Sequence, residues 1–286
     1  MQHSSTNLNP NPNPQKDCCP EGSLPAVPSD PTYITKGEYV DIDGLSIYIT
    51  GNQEAKSAII VAHDVFGPNS GRTIEICDEI AQRMKILVIL PDFFHGNPFF
   101  PESYGTHSIS GAIASFVDLF IYGNIFQLLF SSNKRSTWTV VGNEFESIVI
   151  PMLQKRNISK IGILGFCWGG WFGIHASSNP YINCVVAFHP SLNVCYLVGE
   201  DRQKLCDTAN CPLLMLTAGN DFNDVKEGGM LHEAINKTKY GDSSVFSTIP
   251  TMIHGWVNRG DTSIDTIKVE VEGALNEAVT FLSKHL

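Results

Sequence analysis

Residues 165–170 read GFCWGG: a cysteine with glycine two positions before it, glycine two positions after it, and a third glycine behind. A thiol framed this way can serve as a nucleophile exposed on a sharp strand-to-helix turn. On such a turn the residues two positions to either side nearly touch, so neither can carry a side chain. The neighbouring pattern supplies the context. IGILG (161–165) reads as a buried strand, and 168–178 reads as a helix stopped by Pro180. Cys167 would then sit at a helix N-terminus, whose partial positive charge favours a thiolate. The N–H of Trp168 would point to where an oxyanion forms during attack on a carbonyl. The N–H of Val65, on the loop after AIIVAH (58–63), is the second donor.

A nucleophilic thiol needs a base, and the base needs a group to orient it. Asp221 follows LLMLTA (213–218), and His254 follows VFSTI (245–249). Cys167, Asp221 and His254 thus run in the chain order of a strand-end triad. Asp224 competes with Asp221, which is preferred because it falls directly at its strand end. His189 competes with His254 but precedes the acid in the chain, so it is assigned to the pocket wall. Asp64 and His95 also lie just past buried strands and join the groups that could bind or modulate a substrate. His63 and His175 read as structural histidines, and Trp171 and Phe172 as core.

The elements that must position these groups alternate along the chain. YVDID and LSIYIT alternate around Asp43-Gly44, which predicts a hairpin. Continuous apolar runs at 58–63, 86–90, 161–165, 184–188 and 213–218 predict parallel strands buried on both faces, and 245–249 a further strand. Helical spacing covers 71–84, 143–156, 168–178, 226–239 and 266–285. The pattern predicts an α/β fold with a mostly parallel central sheet and helices on both faces, with ligands outside the carboxyl ends of the strands. Residues 1–34, rich in Pro, Asn and Ser, read as a partly disordered arm. Residues 35–286 read as one domain with an apolar insertion at about 102–137. Within the insertion, Asp118, Asn124, Gln127 and Gly123 break up 111–130, which predicts two short helices rather than a membrane span.

Composition narrows the function. The net charge is −10 and there is no Lys/Arg-rich run, which argues against nucleic acid and anionic membranes as partners and leaves a small molecule. Eight scattered cysteines and an N-terminus without an apolar stretch favour free thiols in a reducing cytoplasm. Cys18 and Cys19 could bind metal or oxidise, but the plainer reading is two ordinary thiols in a mobile arm. Cys206 and Cys211 lack companions for a zinc site. No metal and no organic cofactor is expected.

The elbow GFCWGG, the acid in AGNDFND and the closing IHGWVNRGD resemble the dienelactone hydrolase family. VAHDVFGPN, LPDFFHG, FHPS and the N-terminal CCPEGSLP resemble its eukaryotic members, and the likeness spans about 18–285 apart from the insertion. The resemblance implies an α/β-hydrolase fold that opens lactones or cleaves esters through a cysteine, with Cys167, Asp221 and His254 as triad. It implies a role for Asp64, because many bacterial members carry there a glutamate that touches the resting thiol. It implies that Arg259 is one of two arginines that hold a substrate carboxylate. No arginine occurs between Arg83 and Arg135 to match the other. Two rivals stand beside this reading. One is an amidotransferase-type glutaminase, disfavoured because Gly170 follows the elbow and Ser191 follows His189-Pro190. The other is a non-catalytic binding module of the same fold.

Overall fold

Eight strands assemble one sheet in the order β1-β2-β4-β3-β5-β6-β7-β8 in a computed structural model that describes residues 18–98 and 137–286. The strands are β1 (Glu38–Ile42), β2 (Leu45–Gly51), β3 (Ser57–Ala62), β4 (Leu87–Pro91), β5 (Lys160–Phe166), β6 (Ile182–Phe188), β7 (Leu213–Ala218) and β8 (Val245–Ile249). β1 and β2 form the predicted hairpin, and β2 runs antiparallel to β4. All other neighbours are parallel, so the crossover connections place helices on both faces. β3, β4, β5, β6 and β7 are the continuous apolar runs of the sequence, and this is why they occupy the interior of the sheet.

Side chains that alternate along a strand feed two cores. Ile60 and Ala62 of β3 join one, and Ile59 and Val61 join the other. The first core is covered by α2 (Trp138–Glu144), α3 (Ile150–Lys155) and α4 (Trp168–Ala176), the first two joined by a π-helical turn over Phe145–Val149. The second is covered by α1 (Thr73–Met84) and the long C-terminal helix, Asp265–His285. That long helix buries Val271, Ala274, Leu275, Ala278, Phe281 and Leu282, a stripe of helical spacing.

The predicted helix over 226–239 is shorter. Its regular part is α7 (Met230–Asn236), because Gly228 and Gly229 interrupt it and a 3₁₀ turn covers Asn223–Val225. Two short helices after β6, α5 (Val194–Val198) and α6 (Arg202–Cys206), were not legible in the periodicity, since five residues span little more than one turn. A four-residue helix, α8 (Trp256–Arg259), precedes the long helix, which is α9. The insertion at 102–137 and the helices predicted at 111–130 lie outside the described residues, Thr137 excepted. Among the described residues no helix is long and apolar enough to cross a membrane.

Of the N-terminal arm, residues 18–34 are described; Cys18, Glu21, Leu24 and Pro28 contact the loops after β6, β7, β8 and β3, and Tyr33 reaches Asp78 of α1. The Leu24 N–H donates to the His254 carbonyl (2.9 Å), and Pro28 bridges to Ser70.

Candidate active site

The turn between β5 and α4 carries Cys167 at φ 51°, ψ −104°, a strained conformation for a residue with a side chain. The flanking glycines explain how the turn closes. A Cβ on Gly165 would lie 2.2 Å from the Gly169 carbonyl oxygen, and one on Gly169 would lie 2.1 Å from that of Ala62. Neither backbone atom can retreat, so these two positions accept only glycine. The turn is fastened to the next strand connection: the Cys167 N–H donates to the Phe188 carbonyl (3.2 Å), and the Cys167 carbonyl accepts from Ser191 N–H (3.0 Å). Trp168 opens α4, so its N–H has no partner within the helix. Val65 lies buried on the loop after β3.

Asp221 and His254, 33 positions apart, meet at the ends of β7 and β8. His254 Nδ1 stands 2.6 Å from Asp221 Oδ1, and the other carboxylate oxygen accepts from the Ala218 N–H at 2.6 Å. Asn220 Oδ1 accepts from the His254 N–H (2.7 Å) and fixes the loop that carries the ring. His254 Nε2 is buried, takes no conventional hydrogen bond among the described residues, and has the Cys167 sulfur as a neighbour. Asp224 points elsewhere and pairs with Arg202 at 2.7 Å. His189 packs its ring against His254 with centroids 4.9 Å apart, and among the described residues no carboxylate contacts it. The geometry therefore pairs Asp221 with His254, and His189 packs beside that pair.

Burial pushes the Cys167 thiol up to about 11, so the helix N-terminus does not by itself yield a resting thiolate. Burial alone would lower the His254 imidazole. An ionised Cys167 and the Asp221 carboxylate, with the Asp221 hydrogen bond, outweigh it and raise the imidazole to about 9, so the proton that leaves the sulfur is held on the ring. His254 is thus basic enough to take a proton from the sulfur, with Asp221 to stabilise the resulting imidazolium.

Cys167, Asp221 and His254 thus stand together past the carboxyl ends of β5, β7 and β8. The sequence pattern of the dienelactone hydrolase family matches residues 45–286. The chain belongs to the dienelactone hydrolase family. As a member it is a carboxylic ester or lactone hydrolase with the α/β-hydrolase fold. An uncharacterised AIM2 family protein of Schizosaccharomyces pombe is 28% identical over 241 residues, which cover 84% of this chain and 87% of that one. The human carboxymethylenebutenolidase homolog is 25% identical over 254 residues, with 87% and 91% covered. Among solved structures, dienelactone hydrolase from Anabaena variabilis aligns with a TM-score of 0.55 at 13% identity over 88% of this chain and 98% of its own. The Pyrococcus furiosus esterase Pf2001 aligns at 0.53 and 14%, over 87% and 93%.

In this member of the dienelactone hydrolase family, Asp64 is occupied by partners other than the thiol. Its carboxylate pairs with the Arg259 guanidinium and accepts from Ser70 Oγ (2.9 Å), Asn258 Nδ2 (2.8 Å) and the Phe66 N–H (2.9 Å), all on fully buried side-chain oxygens. Arg259 fills the space left by Gly255, where a Cβ would lie 2.2 Å from its Nη2, and it lies over the Phe66 ring at 5.0 Å. Arg259 Nε and Nη2 have no hydrogen-bond partner among the described residues. His95 gives its Nε2 to Glu144 at 2.8 Å, tying the loop after β4 to α2. His63 Nδ1 donates to the Asp64 carbonyl (2.8 Å) and the ring stacks on Trp168, and His175 pairs with Glu200 (2.9 Å), as structural histidines do.

Sequence reasoning missed three groups, Asn220, Asn258 and Ser70, and misplaced Cys19. Asn220 and Asn258 sit beside predicted site residues, and that adjacency was their only signal. Cys19 was noticed, but reading it and Cys18 as thiols of a mobile arm does not hold. Cys18 is buried, and Cys19 Sγ lies 3.5 Å from Cys167 Sγ. The sulfurs of Cys18, Cys19 and Cys167 all fall within 4.8 Å of one another, and they are the side chains here that could hold a thiophilic metal ion.

Proposed function

We propose that this chain hydrolyses a small ester or lactone through a Cys167–His254–Asp221 triad and an acyl-enzyme. His254 Nε2 takes the Cys167 proton as the sulfur attacks the carbonyl carbon. The N–H groups of Trp168 and Val65 hold the oxyanion. His254 then protonates the leaving alcohol oxygen, and in the second half it deprotonates the water that releases the acid. The observation that carries this reading is the buried His254 Nδ1–Asp221 contact of 2.6 Å, with Nε2 left to the sulfur.

The uncommitted donors of Arg259 support an acidic group on the substrate, held beside the attacked carbonyl. All eight cysteines are free thiols, which supports a reducing compartment such as the cytoplasm. The test is Cys167→Ala assayed on aryl esters and lactones of graded acyl length. It should abolish turnover while the melting transition persists. Full activity in that variant would overturn the triad and point to another nucleophile, whereas no turnover in the unmodified protein would leave a binding module.

A further inference from the structure

The arm does more than pass over the site: it sets two thiols against the nucleophile. Cys18 Sγ is 3.2 Å from Cys19 Sγ, which is 3.5 Å from Cys167 Sγ. The placement is fastened at several points. The Ser191 hydroxyl donates to the Cys18 carbonyl. Asn220 Nδ2 donates to the Glu21 carbonyl (3.0 Å), and the Leu24 N–H donates to the His254 carbonyl (2.9 Å). The arm is therefore held by the same loops that carry the acid and the histidine.

From this geometry we infer that Cys19 and Cys167 are a modification site: a hydroperoxide converts them to a disulfide that blocks the nucleophile and that a dithiol reverses. The inference rests on the proposed role of Cys167. Cys19 is the sulfur an oxidant meets first, because it is partly exposed while Cys18 and Cys167 are buried. The Cys19 thiolate attacks the hydroperoxide O–O bond, giving a sulfenic acid and, after protonation, an alcohol. Cys167, deprotonated by His254, then attacks the Cys19 sulfur. The S–O bond breaks, hydroxide takes up the proton, and water leaves as the S–S bond forms. In sum, two thiols and one hydroperoxide give one disulfide, one alcohol and one water. Cys18 is the poorer partner for Cys19 despite its closeness. Adjacent Cα atoms stand about 3.8 Å apart, below the roughly 4.4–6.8 Å that disulfides span.

The test uses the full chain, treated with hydrogen peroxide and digested without reduction for mass spectrometry, with esterase activity read in parallel. A Cys19–Cys167 linked peptide about 2 Da lighter than its two thiol parts is expected, with loss of nearly all activity and its return on adding dithiothreitol. Cys19→Ser and Cys19→Ala should form no link and be inactivated more slowly, because buried Cys167 must then meet the oxidant itself, and what activity they lose dithiothreitol should not restore. Cys18→Ser should still form the link. Inactivation with no linked peptide overturns the site. So does reversible inactivation that persists in both Cys19 variants, or blockage of Cys167 that a chelator relieves, which would mark a metal site instead. A linked peptide formed without loss of activity upholds the modification and refutes Cys167 as the nucleophile. If the Cys19 variants do not fold, the wild-type digest alone decides.

Discussion

Asp221→Asn replaces one oxygen by an NH₂ group, and the surrounding bonds dictate which one. Asp221 Oδ2 accepts from the Ala218 N–H at 2.6 Å, so the amide oxygen must stay there. The NH₂ then faces His254 Nδ1, across what is now a 2.6 Å contact. An NH₂ in that position donates, so Nδ1 must be the bare nitrogen and the ring proton moves to Nε2. Nε2 is the atom that should take the Cys167 proton, and in this tautomer it cannot. A triad with its base in the wrong tautomer loses about 10⁴ in rate, or about 5 kcal/mol of transition-state stabilisation. The exchange is close to isosteric, so above about pH 9, where the imidazole is neutral in both proteins, the melting midpoint should move by no more than about 4 °C, roughly a 1 kcal/mol change for a domain of this size. The assay is kcat/KM on an activated aryl ester near neutral pH, with thermal melts alongside. Retention of more than about a tenth of wild-type kcat/KM would refute the reasoning. Equal damage from Asp224→Asn would refute it too, since Asp224 is engaged with Arg202 and not with the imidazole.

Asp64→Asn leaves the Arg259 charge buried without its counter-ion, and should cost about 3–5 kcal/mol in a urea melt; a change below about 1 kcal/mol would mean the pair is structurally dispensable. Gly169→Ala drives a methyl into the Ala62 carbonyl at 2.1 Å, and should destabilise by about 3 kcal/mol or more, so a wild-type melting curve would contradict the tight elbow. The fold raises His254 from 6.5 to about 9, so its contribution to stability is whole below pH 6.5 and is lost as pH rises through about 9. Urea midpoints measured across that window should fall, and should fall less in Asp221→Asn; a rise would reverse the assigned direction. His189→Ala should lower turnover far less than His254→Ala, and the opposite ranking in steady-state assays would exchange their roles.

Much of this was legible before any tertiary contact was known. The parallel strands announced themselves because a strand buried on both faces must be apolar at every position, as in β3 and β7. The elbow was legible because its constraint is local: Gly165, Cys167 and Gly169 meet through five consecutive residues, and only glycine fits the approach. The order of Cys167, Asp221 and His254 followed from which residues end which strands.

What the sequence left open lay in contacts between distant loops. Asp221 and Asp224 are the same residue type and nearly adjacent, and only the packing of the β7 and β8 loops turned one to His254 and the other to Arg202. Asp64 meets Arg259 across 195 positions, which took its carboxylate from the thiol to the guanidinium. Cys19 meets Cys167 across 148 positions. The arm's composition, rich in Pro, Asn and Ser, says that it forms no regular element, but not where it lies. Periodicity and turn rules act over a few residues. Where a segment without periodicity comes to rest depends on the hydrogen bonds it finds, here at Ser191, Asn220 and His254, and those acceptors and donors exist as one surface only after the strands have brought their loops together.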